Sequence, residues 1–190
     1  ANMICIAAGM STAGLVPFAS SFAMFATGRN YEQIRNSIGY PMMNVKICAS
    51  HAGITVGEDG ASHQCIEDLA VMRALPNMLV LSPCDEIETK LAIKAAIEHD
   101  GPVYVRLGRL GVEAVHDPET FKFEVGKGVE IKEGTDLTIV ATGLMVQESL
   151  KAAEILAEKG VNARIYVDFG EKKVWFGDVQ MGRCTLITIS

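Results

Sequence analysis

His51-Ala52-Gly53-Ile54-Thr55-Val56-Gly57-Glu58-Asp59-Gly60-Ala61-Ser62-His63-Gln64 decides how this chain reads. A mostly apolar run, Val45 to Ala49, leads into it, with Ser50 at the exit, and a helix-like run, His63 to Leu75, follows it. The stretch is therefore expected to be a loop at the carboxyl end of a buried strand, where open α/β sheets place their ligands. It holds two histidines, two carboxylates and three glycines, with few bulky apolar side chains. Glycine permits sharp turns and close backbone approach. A loop that merely connects has no need of two imidazoles, although one of them can equally serve as a helix cap or a satisfied polar group. Ser62 is placed to cap the following helix, with His63 in its first turn. There the helix dipole disfavours an imidazolium, so His63 is expected to act as a neutral proton acceptor or relay.

Working outward, residues 2 to 14 read as a helix, with Met3, Ile4, Ala7 and Ala8 at helical spacing. Leu15 to Ala19 reads as a short strand, and Ser21 to Ile38 as a second helix. Phe22 and Phe25 share one face of that helix's first turn, a pair whose plain reading is core packing. Downstream, Ile66, Leu69 and Ala70 form the inward stripe of the helix after the loop. Met78 to Leu81 is the next strand. Asp85 and Glu88 have capping-box spacing for the helix after it, with Ile87, Leu91 and Ala95 along the buried face. Pro102 to Arg106 is another buried strand, running on to Gly108-Arg109. At a strand's carboxyl end, Arg109 is placed to fork a phosphate, or else to make an ordinary surface ion pair.

Alternating strands and helices imply an α/β fold: a mostly parallel sheet with right-handed crossovers and helices on both faces. Glu113 to Thr120 is polar and contains the turn signal Asp117-Pro118, so a domain boundary is placed there, between residues 1–115 and 121–190. Phe121 to Glu133 reads as a polar hairpin, Asp136 to Ala141 as a buried strand and Met145 to Lys159 as a helix ending at Gly160. These open a second, partial α/β domain. Two short apolar runs near the end, Val174-Trp175-Phe176 and Thr185-Leu186-Ile187-Thr188, are candidate strands.

Hydrophobic residues make up 49% of the 190 positions, which suits strands buried on both faces. A net charge of −6 excludes a general nucleic-acid binder, which needs clustered Lys and Arg. The five cysteines contain no CxxC pair and lie mostly in apolar runs. They read as small buried hydrophobes in a reducing, cytoplasmic setting. No apolar run reaches about 18 residues, so no membrane span is expected. The start, Ala1 to Cys5, has no basic region before its apolar run and does not read as a signal peptide.

Gly57 to Gln64 resembles the GEDGxxHQ signature of transketolases, and His51 matches the histidine six residues upstream of its first glycine. Phe22-Ala23-Met24-Phe25 is similar to the Phe-x-x-Phe pair that cradles the aminopyrimidine of thiamine diphosphate. Pro102 to Arg109 is similar to the strand ending in the substrate-phosphate arginine. The resemblance covers roughly residues 1 to 165 and is greatest to the C-terminal polypeptide of split transketolases. It implies a pyrimidine-binding domain over residues 1–115 and part of the transketolase C-terminal domain over 121–190. One departure is the family's third aromatic, which falls on Gly28, leaving Arg29 or Tyr31 to take its space.

The resemblance also implies chemistry. Thiamine diphosphate is the electron sink for moving a two-carbon ketol unit between sugar phosphates, as in the pentose phosphate pathway. His51 and Arg109 would contact the substrate phosphate, and Asp59 a sugar hydroxyl beside the carbonyl. His63 would assist proton transfer, Phe22 and Phe25 would hold the aminopyrimidine, and Glu58 would fix the loop by a hydrogen bond. No metal ligands are assigned in this chain. The family's ylid-promoting glutamate falls immediately before Ala1. The Gly-Asp-Gly motif for the diphosphate and Mg²⁺ belongs to a separate domain, donated across a dimer interface. The expectation is thus an inactive half-site that requires an N-terminal subunit or domain, in a homodimer or heterotetramer. Two other readings stand beside it. Deoxyxylulose-phosphate synthases share the glycine-rich loop ending in His-Gln but lack the loop's first histidine. A non-catalytic assembly module would keep the fold alone, against the joint retention of His51, Asp59, His63 and Arg109.

Overall fold

The structure is a computed structural model and describes residues 1–167. The chain divides into two units. The first comprises residues 1–81 and 90–111; the second comprises 82–89 and the chain from 112 onward.

The first unit is built on a four-stranded sheet of β1 (Phe18–Phe22), β2 (Lys46–Ser50), β3 (Leu79–Leu81) and β4 (Val103–Arg106), in the order β1-β2-β4-β3. Every neighbouring pair is parallel. Residues 46–49 of β2 and 103–105 of β4 are buried, as central parallel strands must be. α1 (Asn2–Thr12) buries Ile4, Ala7 and Ala8, which recur at three- and four-residue spacing. These pack into a core with Ile34, Ile38, Ile47, Met72 and Tyr104.

Several expected elements shift. β1 starts at Phe18, after Pro17, and Leu15 and Val16 are exposed. Phe22 is therefore the last residue of a strand, not part of a helix's first turn. The long helix expected over Ser21 to Ile38 is broken into a wide π turn (Met24–Gly28), the short α2 (Tyr31–Ile34) and a second π turn (Arg35–Gly39). Asn30 explains the break: its side-chain amide donates to Phe25 O at 2.8 Å. That takes a carbonyl which would otherwise serve the helix.

The helix after the loop, α3, spans only Asp68–Arg73. Gly53 and Cys65 close the loop with a pair of backbone hydrogen bonds, so Cys65 cannot be helical. Ser62 caps no α-helix, and His63 lies outside one, so the dipole argument for His63 lapses. Ile66 is 69% exposed and Ala70 is exposed; the fully inward positions are Asp68 and Met72, while Leu69 packs half-buried against the core as expected. In α4 (Glu86–Glu98), whose first turn belongs to the second unit, the fully buried positions are Glu88, Ala92 and Ala96. They lie one residue beyond Ile87, Leu91 and Ala95, which are half-buried. Cys5 is exposed, whereas Cys48, Cys65 and Cys84 are buried.

The second unit holds β5 (Val129–Lys132), β6 (Leu137–Ala141) and β7 (Ala163–Val167), in the order β5-β7-β6. α5 (Met145–Glu158) makes the crossover between the parallel strands β6 and β7. The hairpin expected over Phe121 to Glu133 does not form. β5 is a lone strand antiparallel to β7, and Phe121 and Phe123 pack against the core. The apolar runs after residue 173 lie outside the described residues. Among the described residues, no helix is long and apolar enough to cross a membrane.

Lys46 opens β2 with its side chain fully buried, and its ammonium donates to His99 O and Gly101 O at 2.7 Å each. Burial pushes its pKa down to about 8, opposed by the charge of Asp100. The unfolded chain keeps the ordinary value, so between pH 8 and about 10.4 the unfolded state binds more protons. Folding stability should therefore rise through that window relative to a Lys46→Met variant. Chemical denaturation across the range checks this; parallel pH profiles for the two proteins would contradict it.

Candidate functional site

The loop leaves β2 at Ser50 and enters His51 with φ +59°. This left-handed conformation is uncommon for a side chain larger than glycine and costs on the order of 1–3 kcal/mol, a strain that clusters at functional sites. The turn sets the His51 imidazole flat on the Phe22 ring, with centroids 3.9 Å apart and planes 13° from parallel. Ser50 Oγ meets His51 Nδ1 at 3.0 Å. β1 and β2 are register partners, and Phe22 stands opposite Ser50 at their carboxyl ends, which is why the two rings meet.

His63 reaches the same cluster from the far side of the loop. Its ring is edge-on to Phe25 at 5.0 Å and to Phe22 at 6.1 Å. Ser62 Oγ lies 2.9 Å from His63 Nδ1 and also donates to Asp59 O at 3.3 Å, so the serine orients the imidazole instead of capping a helix. Phe22 and Phe25 stack at 6.2 Å and 12°. Phe25 sits in the π turn Met24–Gly28, and such widened turns recur at functional sites. The Arg29 guanidinium lies over the Phe25 ring at 5.0 Å, a cation–π contact, while Tyr31 packs against the core. Of the two candidates for the space beside the Phe pair, Arg29 is the one that meets it.

The remaining loop residues are more open. Asp59 and Glu58 are exposed, with Asp59 opening a short 3₁₀ turn over Gly60–Ser62. Among the described residues, Glu58 makes no side-chain hydrogen bond, so the loop-fixing bond expected of it is not formed. The loop is fixed by the Gly53–Cys65 bridge and by Gln64, whose amide donates to Ile54 O at 3.2 Å. Arg109 is exposed and lies against Gly57: a Cβ there would stand 2.5 Å from Arg109 Nη1. The exposed guanidinium could swing aside, but Gly57 has φ +86°, a backbone conformation that favours glycine. The structure thus joins Phe22, Phe25, His51 and His63 in one aromatic cluster, and sets Arg109 on the loop that carries Asp59.

Beneath the loop lies a network that sequence reading missed. Asp68, fully buried, accepts from Tyr104 Oη at 2.7 Å and from Arg106 Nε at 2.9 Å, both through Oδ2. Burial, then the Asp68 charge, pushes the Tyr104 hydroxyl well above its ordinary pKa. Arg106 Nη2 would lie 3.4 Å from a Cβ on Gly53, so the network supports the loop's base. The partners are 36 and 38 residues apart, too far for local spacing to suggest the pairing.

The family described as "Transketolase, pyrimidine binding domain" matches residues 1–113, and "Transketolase, C-terminal domain" matches residues 126–168. A protein of Methanocaldococcus jannaschii named as a transketolase C-terminal section is 56% identical over 165 residues, covering 86% of this chain and 52% of the relative. A 1-deoxy-D-xylulose-5-phosphate synthase of Desulforudis audaxviator is 35% identical, covering 99% of this chain and 30% of that enzyme. A solved structure described as "Split gene transketolase, inactive beta4 tetramer" superposes with a TM-score of 0.83 at 53% identity, covering 90% of this chain and 54% of that one. The chain spans about half the length of the archaeal relative and of the split-gene structure.

Proposed function

Because the chain belongs to the transketolase family, we propose that it supplies the C-terminal half-site of a thiamine-diphosphate-dependent transketolase. That enzyme moves a two-carbon ketol unit between sugar phosphates. The observation that carries the reading is the cluster itself: His51 strained onto Phe22, and His63 edge-on to Phe25, at the carboxyl ends of neighbouring parallel strands.

The residues present fit the cofactor's aminopyrimidine. Two half-buried, near-parallel rings form an apolar shelf, and two imidazoles give it a polar margin. Phe22 and Phe25 would hold the ring on that shelf. When bound, thiamine diphosphate supplies the electron sink for breaking and making the ketol carbon–carbon bond. The diphosphate would be held through Mg²⁺, which needs hard oxygen ligands in a set geometry. These would come from an N-terminal transketolase subunit or domain, within a homodimer or heterotetramer. Residues 1–115 would act as the pyrimidine-binding domain and 121–190 as part of the C-terminal domain.

His63 would exchange a proton with the reacting sugar oxygens, held in line by Ser62. His51 and Arg109 would neutralise the substrate phosphate, and Asp59 would accept a hydrogen bond from a sugar hydroxyl. In the enzyme assembled with its N-terminal partner, Arg109→Ala should raise KM for phosphorylated acceptors roughly tenfold or more while sparing unphosphorylated ones. Losing one charge-assisted hydrogen bond costs on the order of 1.5–3 kcal/mol. Asp59→Ala should instead lower kcat/KM for donors that carry the hydroxyl and spare donors that lack it. Steady-state kinetics on paired substrates separates the two. Equal loss on both members of either pair would remove the corresponding role.

A further inference from the structure

A second cluster lies wholly within the second unit. Cys84 and Asp85 immediately precede α4, and Glu88 lies in its first turn. His116 comes from the segment after residue 112. All four residues are buried, and one donor atom from each lies within 4.8 Å of all the others. We propose that these four side chains form a metal-ion site for a borderline-soft divalent cation of the zinc class.

The distances fit such an ion. Cys84 Sγ and His116 Nε2 are 3.6 Å apart, and His116 Nε2 and Glu88 Oε2 are 3.5 Å apart. Around a tetrahedral zinc, bond lengths of about 2.3 Å to sulfur and about 2.0–2.1 Å to nitrogen and oxygen give edges of about 3.6 Å and about 3.3 Å. The His116 pairs with Cys84 and Glu88 therefore stand close to the separations that coordination requires, and the remaining donor pairs lie within 4.8 Å. The mixture of thiolate, imidazole and carboxylate selects a zinc-like ion over magnesium or calcium, which prefer all-oxygen sets.

The frame is fixed without the ion. Asp85 Oδ2 accepts from the N–H groups of Val115 and His116 at 2.8 and 2.9 Å, and Oδ1 from Glu88 N at 2.8 Å. Phe121 stacks on the His116 ring at 3.6 Å and 14°, which sets its plane. Cys84 N donates to Glu88 Oε2 at 3.0 Å. Glu88 Oε1, however, is buried with no hydrogen-bond partner. Among the described residues, the ion-pairing partner of Glu88 is His116 alone. An orphaned carboxylate oxygen beside a thiol and an imidazole is a costly arrangement, and a cation relieves it. Thiolate is the ligating form of cysteine, so ion binding would displace the Cys84 proton to solvent.

Cobalt(II) tests this directly, because a thiolate ligand gives a charge-transfer band and a tetrahedral site gives intense visible bands. The full chain, stripped with a chelator under reducing conditions, should develop both as one equivalent of Co²⁺ is added. Zinc should bleach them and raise the thermal midpoint. Cys84→Ser should lose the charge-transfer band, and Glu88→Gln, which still accepts from Cys84 N, should weaken binding at least tenfold. Absence of saturable bands in the unmutated chain overturns the proposal, as does a charge-transfer band that survives in Cys84→Ser. Should Cys84→Ser not fold, the unmutated spectrum and the Glu88→Gln titration decide the matter.

Discussion

His63→Ala in the assembled enzyme is expected to lower kcat by two to four orders of magnitude with little change in KM for the acceptor. A positioned general acid–base group contributes about 10²–10⁴-fold. With Nδ1 engaged by Ser62 Oγ, Nε2 is the nitrogen left to serve the proposed proton transfer. The edge-on contacts with Phe22 and Phe25 hold the ring in that pose. Ser62→Ala should cost less, since it loosens the imidazole without removing it. Single-turnover kinetics distinguishes chemistry from product release. A His63→Ala enzyme whose chemical step stays within threefold of the unmutated rate would remove His63 from proton transfer.

The other large effect concerns stability. Asp68→Ala is expected to cost about 3–5 kcal/mol, the usual penalty for breaking a buried pair by removing one partner. Two groups lose their acceptor together: the buried Tyr104 hydroxyl, and the Arg106 guanidinium, whose side chain is 15% exposed. For a unit of this size the thermal midpoint should fall by on the order of 10 °C or more. Asp68→Asn keeps an acceptor and should cost less. Urea titrations of the three proteins measure the series. A loss below about 1 kcal/mol for the alanine variant would show that the network contributes little to the fold.

The loop was legible because its composition is at odds with its place. Glycines, carboxylates and imidazoles follow a strand whose residues 46–49 are all buried. β2 and β4 could be read almost to the residue, since continuous burial on both faces leaves a mostly apolar run, in which Lys46 is the exception in β2. Helical spacing misled where side chains compete for backbone groups. Asn30 breaks the expected long helix by capturing Phe25 O, and the Gly53–Cys65 bridge delays α3 to Asp68. The Asn30 contact spans only five residues, yet an asparagine is equally compatible with the helix, so spacing alone does not reveal it; the Gly53–Cys65 bridge depends on the loop closing on itself. The same holds for Phe22. Its pairing with Phe25 looked helical, yet its contact with His51 follows from strand register, not from spacing along the chain. His116 carries no motif of its own, because its polar partners Cys84 and Glu88 lie 28 or more positions upstream.

The half-site account is tested most directly by calorimetry with thiamine diphosphate and Mg²⁺. The aromatic shelf of Phe22 and Phe25 supplies stacking of about 0.5–1.5 kcal/mol beyond burial, against roughly 8 kcal/mol for micromolar affinity. The account predicts no micromolar binding to this chain by itself. Together with an N-terminal transketolase subunit from the same source, and with the family's glutamate supplied ahead of Ala1, it predicts micromolar binding and ketol transfer between sugar phosphates. Micromolar binding by the chain alone would contradict it, as would a stable assembly with that subunit that binds no cofactor.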